Sequence, residues 1–402
     1  PNRVLVNLDG WPDSGYSGQA WLTMPDLDVK PLLAAVTGDW QVDQAQVSSS
    51  LWVHFSSDGE VQLRGQAVNA NAVASLANTD RQINLTNTGF DLYAALAPAG
   101  AWQLQVSNLS LDWQNTPWEV PMLFVERPAG DAPLVTLRAP VIDLAMIGSM
   151  VLDAAPIPDA GLEALRTLDP RGELVNLVAD TALDGSMPGG FHLRGNLRQI
   201  AVDPWNAAPG GSGLDGYLEL NGVNGFVEVD SNNLNISLPL LFASPWHYDH
   251  VNSRVSWEVS EGRVHAYSTM IDVDSSDLQG RVAFDVLNTR DPENNQETRF
   301  TLQVGVARMD VLQGKVYLPS VPQVANLMDW LRSSLQGGQL HDSAFLYRSN
   351  SRNGVEISSA AGSWYQAEAG ELQFLPDWPA LEDISATVVV RNNNVEVLSD
   401  RG

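Results

Sequence analysis

The residues best placed to hold a metal ion are His247, Asp249 and His250, which lie close together in the sequence. Three ligands from one turn do not match a zinc spacing, and neither an HExxH motif nor a further His lies nearby. We therefore expect this stretch to be an ordinary loop, and we predict no metal site.

Three acidic residues, Asp272, Asp274 and Asp277, superficially resemble a calcium-binding loop. An EF-hand loop needs Gly at its sixth position and Glu at its twelfth, whereas this stretch has Asp277 and Ala283 there. Because the three carboxylates lie in an alternating run, we expect them to point outward into solvent.

Recognised motifs for a catalytic nucleophile or a phosphate-binding loop are also missing from the sequence. It contains no GxSxG motif, and with no Cys it has no thiol nucleophile. The Gly-rich residues 209–213 precede a strand pattern rather than a helix, so we expect a flexible loop and not a phosphate site. Gly314 and Lys315 lack the upstream Gly of a P-loop. We predict no catalytic residue, no cofactor and no enzyme activity.

Tryptophan could instead stack on sugar rings, as in β proteins where paired carboxylates cleave glycans. A sugar platform would place Trp among polar neighbours, whereas Trp257 shares its face with Val255 and Val259. Trp52 is the exception, because it lies on the face opposite Leu51. By the same alternation, Trp40, Trp102 and Trp113 also share their strand faces with aliphatic residues. A carbohydrate-binding or glycan-active β protein therefore stays an alternative.

Composition excludes other classes of partner. The 402 residues include 22 Lys+Arg against 48 Asp+Glu, a formal net charge of −26, which repels a phosphate backbone and predicts no nucleic-acid binding. Lys occurs only at Lys30 and Lys315, so no polybasic strip faces anionic lipid headgroups. The chain is 44% hydrophobic and 17% charged, with 32 Gly and 23 Pro, which favours β-structure over long solvated helices.

Alternation of apolar and polar residues with a period of two dominates the chain, and Asn, Asp and Gly cluster between the runs. From Leu214 onward the pattern is typical of an antiparallel meander. We predict a mainly β fold with roughly twenty short strands. Such a sheet either closes on itself as a sandwich or barrel, or stays open as a trough with an apolar side.

Helical spacing interrupts the alternation in a few places. One predicted helix carries Leu162, Leu165 and Leu168; another, at about 320–336, begins with a capping box at Ser320 and ends at Gly337. A third is possible at residues 30–36. Each follows an apolar-Asp-apolar triplet, centred on Asp28, Asp143 and Asp310. We predict strand patterns at 1–140, a helical segment at 141–172, and strands with one helix at 173–402.

Residues 168–402 resemble a known family. The matching stretches are LDPRG at 168–172, FHLRG at 191–195, LDGY at 214–217, YLP at 317–319, WL at 330–331, LQGG at 335–338 and FLPDWP at 374–379. In order and spacing they resemble the YhdP branch of the AsmA-like envelope proteins of Gram-negative bacteria. Residues 1–140 fit only as a generic strand pattern.

The resemblance implies a long, twisted antiparallel sheet that forms an open apolar groove, with two or three short helices. It implies a periplasmic conduit that shields phospholipid acyl chains and carries them between inner and outer membranes. It implies no catalytic residues. The chain looks like an internal fragment, and any inner-membrane anchor is expected outside it; partner proteins stay unknown.

The predicted groove lining consists of the apolar members of the alternating runs after Leu214. They are Leu218, Leu220, Val227, Val229, Val255, Trp257, Val259, Val282, Phe284, Val286, Leu302, Val304 and Val306. The same residues would suit an ordinary sandwich core, because periodicity specifies a face and not its partner. A structural envelope scaffold without lipid is a further alternative.

Overall fold

The computed structural model describes residues 2–11, 15–33, 40–76, 81–130, 134–154, 159–205, 208–293, 295–320, 325–391 and 394–401. These residues form one antiparallel sheet of 21 strands, which confirms the mainly β prediction. The chain divides into two compact units. Unit 1 comprises Pro1–Arg166 and Gly172–Asn196, and unit 2 comprises Thr167–Arg171 and Leu197–Gly402.

Strands in the first half of the chain pair antiparallel, each with the next. They are β1 (Arg3–Trp11), β2 (Gly15–Asp28), β3 (Trp40–Phe55), β4 (Val61–Leu76), β5 (Gln82–Leu96), β6 (Trp102–Trp113), β7 (Thr116–Arg127), β8 (Leu134–Asp143), β9 (Arg171–Ala182) and β10 (Phe191–Val202). Their order in the sheet is thus their order in the sequence.

The second half continues as a meander, as predicted from Leu214 onward. Its strands are β11 (Gly210–Asn221), β12 (Asn224–Ser237), β13 (Trp246–Ser260), β14 (Arg263–Ser268), β15 (Ile271–Asp274), β16 (Leu278–Arg290), β17 (Gln296–Asp310), β18 (Leu335–Arg352), β19 (Val355–Leu372), β20 (Leu381–Arg391) and β21 (Asn394–Arg401). Both β14 and β15 pair with β13 on one side and β16 on the other, so together they take the place of one strand.

The prediction of short strands was wrong. Many strands are 12 to 18 residues long, well above the usual five or six. The alternation in β6 breaks after Val106 and resumes at Leu109, which looks like a turn between two strands. Instead one strand runs through this break, where Asn108 has a φ of 51° and the register with β5 shifts. An Asn in this left-handed conformation accommodates a bulge without ending the strand.

Such bulges restore the apolar face after an odd step in sequence. Val229 and Leu234 belong to one buried cluster although they are five residues apart, and strict alternation would place them on opposite faces. Asn233 lies between them with a φ of 59°. Across this stretch the register of β12 with β11 shifts while its register with β13 is unbroken, and both apolar side chains reach the same core.

Four helical segments are described. They are α1 (Lys30–Leu33), α2 (Leu144–Ala154), α3 (Asp159–Leu168) and α4 (Ala325–Ser334). α3 confirms the predicted helix, α1 is a single turn, and α2 was not predicted as a separate helix, because its apolar residues show no one-sided stripe. α4 ends before the predicted Gly337, since Leu335 already pairs with Leu372 in the sheet. Residues 34–36 of the third helix, and Pro322, Gln323 and Val324 of the capping box and stripe, lie outside the described residues.

Each apolar-Asp-apolar triplet ends a strand and caps the segment that follows. The Asp143 carboxylate accepts a hydrogen bond from the Met146 N–H at 3.0 Å, at the start of α2. The Asp28 carboxylate accepts the Lys30 N–H at 3.0 Å, and the Asp310 carboxylate accepts the Leu312 N–H at 2.9 Å. A carboxylate satisfies amide groups that the first helical turn leaves without partners. The triplet is therefore a strand-to-helix capping unit.

The C-terminal end of α2 is fixed to the strands of unit 1. The indole N–H of Trp113 donates to the Asp153 carboxylate at 2.8 Å, and that of Trp40 donates to the Ala154 carbonyl at 3.2 Å. Met146 in α2 and Leu111 in β6 are buried. No helix in the described part of the chain is long and apolar enough to cross a membrane.

Candidate functional site

The thirteen predicted lining residues lie on one face of the sheet in unit 2. Val227 pairs directly with both Leu218 and Val255. Directly opposed residues of an antiparallel pair project to the same face, so each pairing extends a row across the strands. One further row passes from Leu220 through Gly225 to Trp257. Rows therefore connect β11, β12 and β13 without a change of face.

The rows continue toward the later strands. Trp257 pairs with Ala266, which pairs with Val286. Val282 pairs with Val304, and Phe284 pairs with Leu302. β18 adds Phe345 beside Val304 and Tyr347 beside Leu302, two residues that the sequence analysis did not name. The alternation of their own strand could have identified them.

This face is only half-covered by protein. Val229 is buried, whereas the other twelve predicted residues are half-buried. The described strands all belong to one sheet, so no second sheet is present among them to pack over the face. Two compact halves of a 43.6 kDa chain would together expose roughly 18,500 Å², but the chain exposes 23805 Å². Much of the sheet surface therefore lacks a protein partner.

One end of the face is closed by a small core, here called the covered end. It consists of Val229, Leu234, Tyr248, Val251, Val273 and Leu278, with Trp246, Met309 and Tyr317 packed against it. Tyr317 belongs to the 3₁₀ turn Gln313–Tyr317 that follows β17. Its ring centroid lies 5.2 Å from that of Trp246, whose indole N–H donates to the Val316 carbonyl at 3.3 Å. The turn thus covers the end of the sheet.

Burial changes the ionisation of the two tyrosines in the covered end. Burial raises the pKa of the Tyr248 phenol well above its ordinary value, and the neighbouring Tyr317 adds to the shift. Burial likewise raises the pKa of Tyr317. Both phenols therefore stay protonated in the folded protein beyond the pH at which a free tyrosine ionises.

The opposite face of unit 2 is charged and solvated. Arg254 pairs with Glu228 at 3.0 Å, and its guanidinium carbon lies 3.6 Å from the Phe226 ring centroid. Asp285 lies 2.9 Å from His265 across neighbouring strands. The exposed Arg281 and Asp272 form another pair at 2.7 Å. The sheet of unit 2 therefore has one apolar and one charged face.

Unit 1 has an apolar face of its own, which the sequence analysis treated only as strand pattern. A continuous row of directly paired residues crosses six strands: Leu22, Leu51, Gly65, Leu92, Val106 and Leu123. Gly65 is required in this row, because a Cβ there would lie 2.3 Å from the Ser50 carbonyl oxygen. The four leucines and Val106 are half-buried. The pairing register of the strands identifies this face, because no single sequence motif marks it.

The stretch predicted as a loop around His247 is a strand. His247, Asp249 and His250 lie in β13, where His247 contacts Asn235 at 3.1 Å and His250 contacts Asn232 at 3.2 Å on the adjacent strand. No group of three or more metal-ligating side chains occurs among the described residues. Asp272 and Asp274 are exposed in β15, and Asp277 is exposed beyond it. The polar residues in β13 concealed its strand character.

The Gly-rich stretch is also part of the sheet. Gly210 and Gly211 begin β11 and pair with Ser237 and Ile236 of β12. A Cβ on Gly211 would lie 2.7 Å from the Asn235 carbonyl oxygen. Glycine here permits the close approach of two strands rather than the flexibility of a loop.

Comparisons with known proteins agree with this architecture. The profile of the YhdP protein family matches residues 1–402. One curated relative is the "Intermembrane phospholipid transporter YhdP" of Escherichia coli (strain K12), which is 22% identical over 428 residues. That alignment covers 99% of this chain but 32% of the relative, so the chain spans about a third of its length. No solved structure matches the chain. The chain belongs to the YhdP family.

Proposed function

We propose that the apolar face of unit 2 shields the acyl chains of phospholipids, and that the chain is a segment of a periplasmic conduit between inner and outer membranes. The name of the Escherichia coli relative supports phospholipid as the cargo. The observation that carries the proposal is that the predicted residues form continuous rows across the strands. Twelve of the thirteen are half-buried, and no second sheet packs over them among the described residues.

Energetics favour such a face. A two-chain lipid has on the order of 30 methylene groups, and at ~0.8 kcal/mol each their full exposure to water would cost roughly 25 kcal/mol. Contact with residues such as Phe284, Leu302 and Val304 removes part of that exposure, while headgroups stay in solvent. No residue is required to bind a headgroup tightly, so lipids can move along the rows.

Adjacent residues of β17 provide a matched test. Val304 lies on the apolar face, whereas Gln303 is exposed on the charged face. We expect native mass spectrometry of the 402-residue chain to show phospholipid adducts. Val304→Asp should strongly reduce these adducts, because it places a charge on the apolar face. Gln303→Asp is the control: it adds the same charge to the same strand on the opposite face, and it should leave the adducts unchanged.

Photo-crosslinking gives the position of the lipid directly. A benzophenone amino acid at Val304 should crosslink to phospholipid in cells, and the same probe at Gln303 should not. A bare mass after gentle handling, without crosslinks at Val304, would indicate a structural scaffold. Equal crosslinking at both positions would contradict the assignment of the face.

A further inference from the structure

The polar face of unit 1 carries a row of aromatic and arginine side chains. These side chains take no part in the apolar face on the other side of the sheet. Directly paired residues of β2 to β8 form this row, here called the aromatic row: Trp21, Trp52, Arg64, Tyr93, Gln105, Phe124 and Arg138. Trp52 is 56% exposed. An indole exposed on a polar face is available for contact with another molecule.

The rings of the aromatic row form a surface on which flat, partly apolar molecules can stack. The centroids of Trp21 and Trp52 are 6.1 Å apart, with their planes inclined by 37°. The Arg64 guanidinium carbon lies 5.2 Å from the Tyr93 ring centroid. Five strand spacings separate Trp21 from Phe124, which gives a row about 24 Å long. This length suits an extended chain of several pyranose rings.

Side-chain amides flank the aromatic row on both sides. Neighbouring rows contribute Gln19, Gln62, Gln66 and Gln103, and the aromatic row itself contains Gln105. The Gln103 amide donates to the Tyr93 hydroxyl at 3.2 Å, and the Gln105 amide donates to the Ser107 hydroxyl at 2.9 Å. An amide both donates and accepts hydrogen bonds, as a sugar hydroxyl does.

An open depression lies beside the rings. It has a volume of about 550 Å³ and is lined in part by Arg64, Asp91, Tyr93, Gln105 and Ser107. The Asn108 amide donates to the Asp91 carboxylate at 2.7 Å, which holds this acceptor in place at the rim. The depression therefore combines a ring, an amide, a hydroxyl and a fixed carboxylate.

Charge selects the kind of ligand. The chain has a net charge of −26, but the aromatic row and its two flanking rows balance Arg64 and Arg138 with Asp91 and Glu126. Arg138 and Glu126 are paired at 3.1 Å. A neutral patch on an acidic protein neither attracts nor repels an uncharged ligand, whereas polyanions are repelled by the rest of the surface.

We propose that the aromatic row of unit 1 binds an uncharged saccharide chain, with pyranose rings stacked on Trp21 and Trp52. This site lies in unit 1, on the face opposite the apolar row of that unit, so it does not depend on lipid binding to unit 2. The proposed role is binding, and no cleavage step is assigned to the site.

Calorimetric titration of the 402-residue chain with cellohexaose and with chitohexaose tests the proposal. We expect saturable binding of at least one of them. Trp52→Ala and Trp21→Ala should each weaken it by about tenfold, which corresponds to the loss of a stacking contact. Trp52→Phe should retain more affinity than Trp52→Ala. Trp378→Ala, which removes a 59% exposed indole of unit 2, should bind as the parent chain does.

Circular dichroism and thermal unfolding show whether each variant is folded. Because Trp52 is exposed, we expect its variants to unfold at the parent temperature. The absence of binding to both sugars overturns the proposal, as does an equal loss in Trp378→Ala. Binding of decaproline in place of the sugars, with the same Trp dependence, would assign the row to a proline-rich peptide and also overturn it.

Discussion

The apolar face of unit 2 has two regions that differ in how much protein covers them. At the covered end, Val251 is 3% exposed and Tyr317 packs against its cluster. Farther along the same strands lies what we call the open stretch, which comprises Trp257, Phe284, Leu302 and Val304 and is half-buried. Residue type and alternation are alike in both. The difference lies in what covers the strands, so apolar alternation by itself does not produce a closed core.

A buried charge should separate the two regions most strongly. Val251→Asp places an unpaired carboxylate in the covered end and should lower the free energy of unfolding by about 4 kcal/mol or more. Val304→Asp leaves its carboxylate partly in water and should lower it by about 1 kcal/mol. Urea unfolding followed by circular dichroism measures both. Equal losses would mean that the open stretch is packed as tightly as the covered end.

Truncation should show the same order with a smaller difference. Leu234→Ala removes a side chain that is 4% exposed and should cost about 3 kcal/mol, including the cavity it leaves. Leu302→Ala in the open stretch should cost roughly 1 kcal/mol, because part of its surface already contacts solvent. The same unfolding measurement applies. A larger loss for Leu302→Ala than for Leu234→Ala would reverse the comparison.

High pH should destabilise the covered end specifically. The folded state keeps the Tyr248 phenol protonated because burial raises its pKa, while the unfolded chain releases that proton near the ordinary value of about 10. Stability is therefore intact below pH ~10 and falls above it, by at most about 1.4 kcal/mol per pH unit for this group. Unfolding of Tyr248→Phe should depend less on pH over that range. Identical slopes for parent and variant would contradict the burial of the phenol.

Loss of a cap should give the smallest effect. Asp310 accepts hydrogen bonds from the Leu312 and Gln313 amides at 2.9 and 3.1 Å, at the entry to the turn that carries Tyr317. Asp310→Ala should lower the free energy of unfolding by about 1 kcal/mol. Asp272→Ala is the control, because it breaks only the exposed pair with Arg281 and should change stability by less than about 0.5 kcal/mol. A control loss as large as that of Asp310→Ala would remove the capping role.

The alternation predicted the fold class and the shared face of the thirteen residues, since side chains two apart in a strand project to the same side. It did not predict the long strands, because bulges at Asn108 and Asn233 break the period locally. It also missed the aromatic row. Trp21, Tyr93 and Phe124 lie far apart in sequence, and only the register of the strands brings them together.

The bulges also determine where the chain tolerates a change of length. Deletion of Asn233 would turn Leu234 and Ile236 toward the charged face and would turn the neighbouring polar side chains toward the core, because side chains alternate between the two faces of a strand. A residue inserted at a hairpin such as Asn221–Asn224 leaves every strand pairing intact. Insertions and deletions in proteins of this architecture are therefore expected at the hairpins, and within a strand only in pairs.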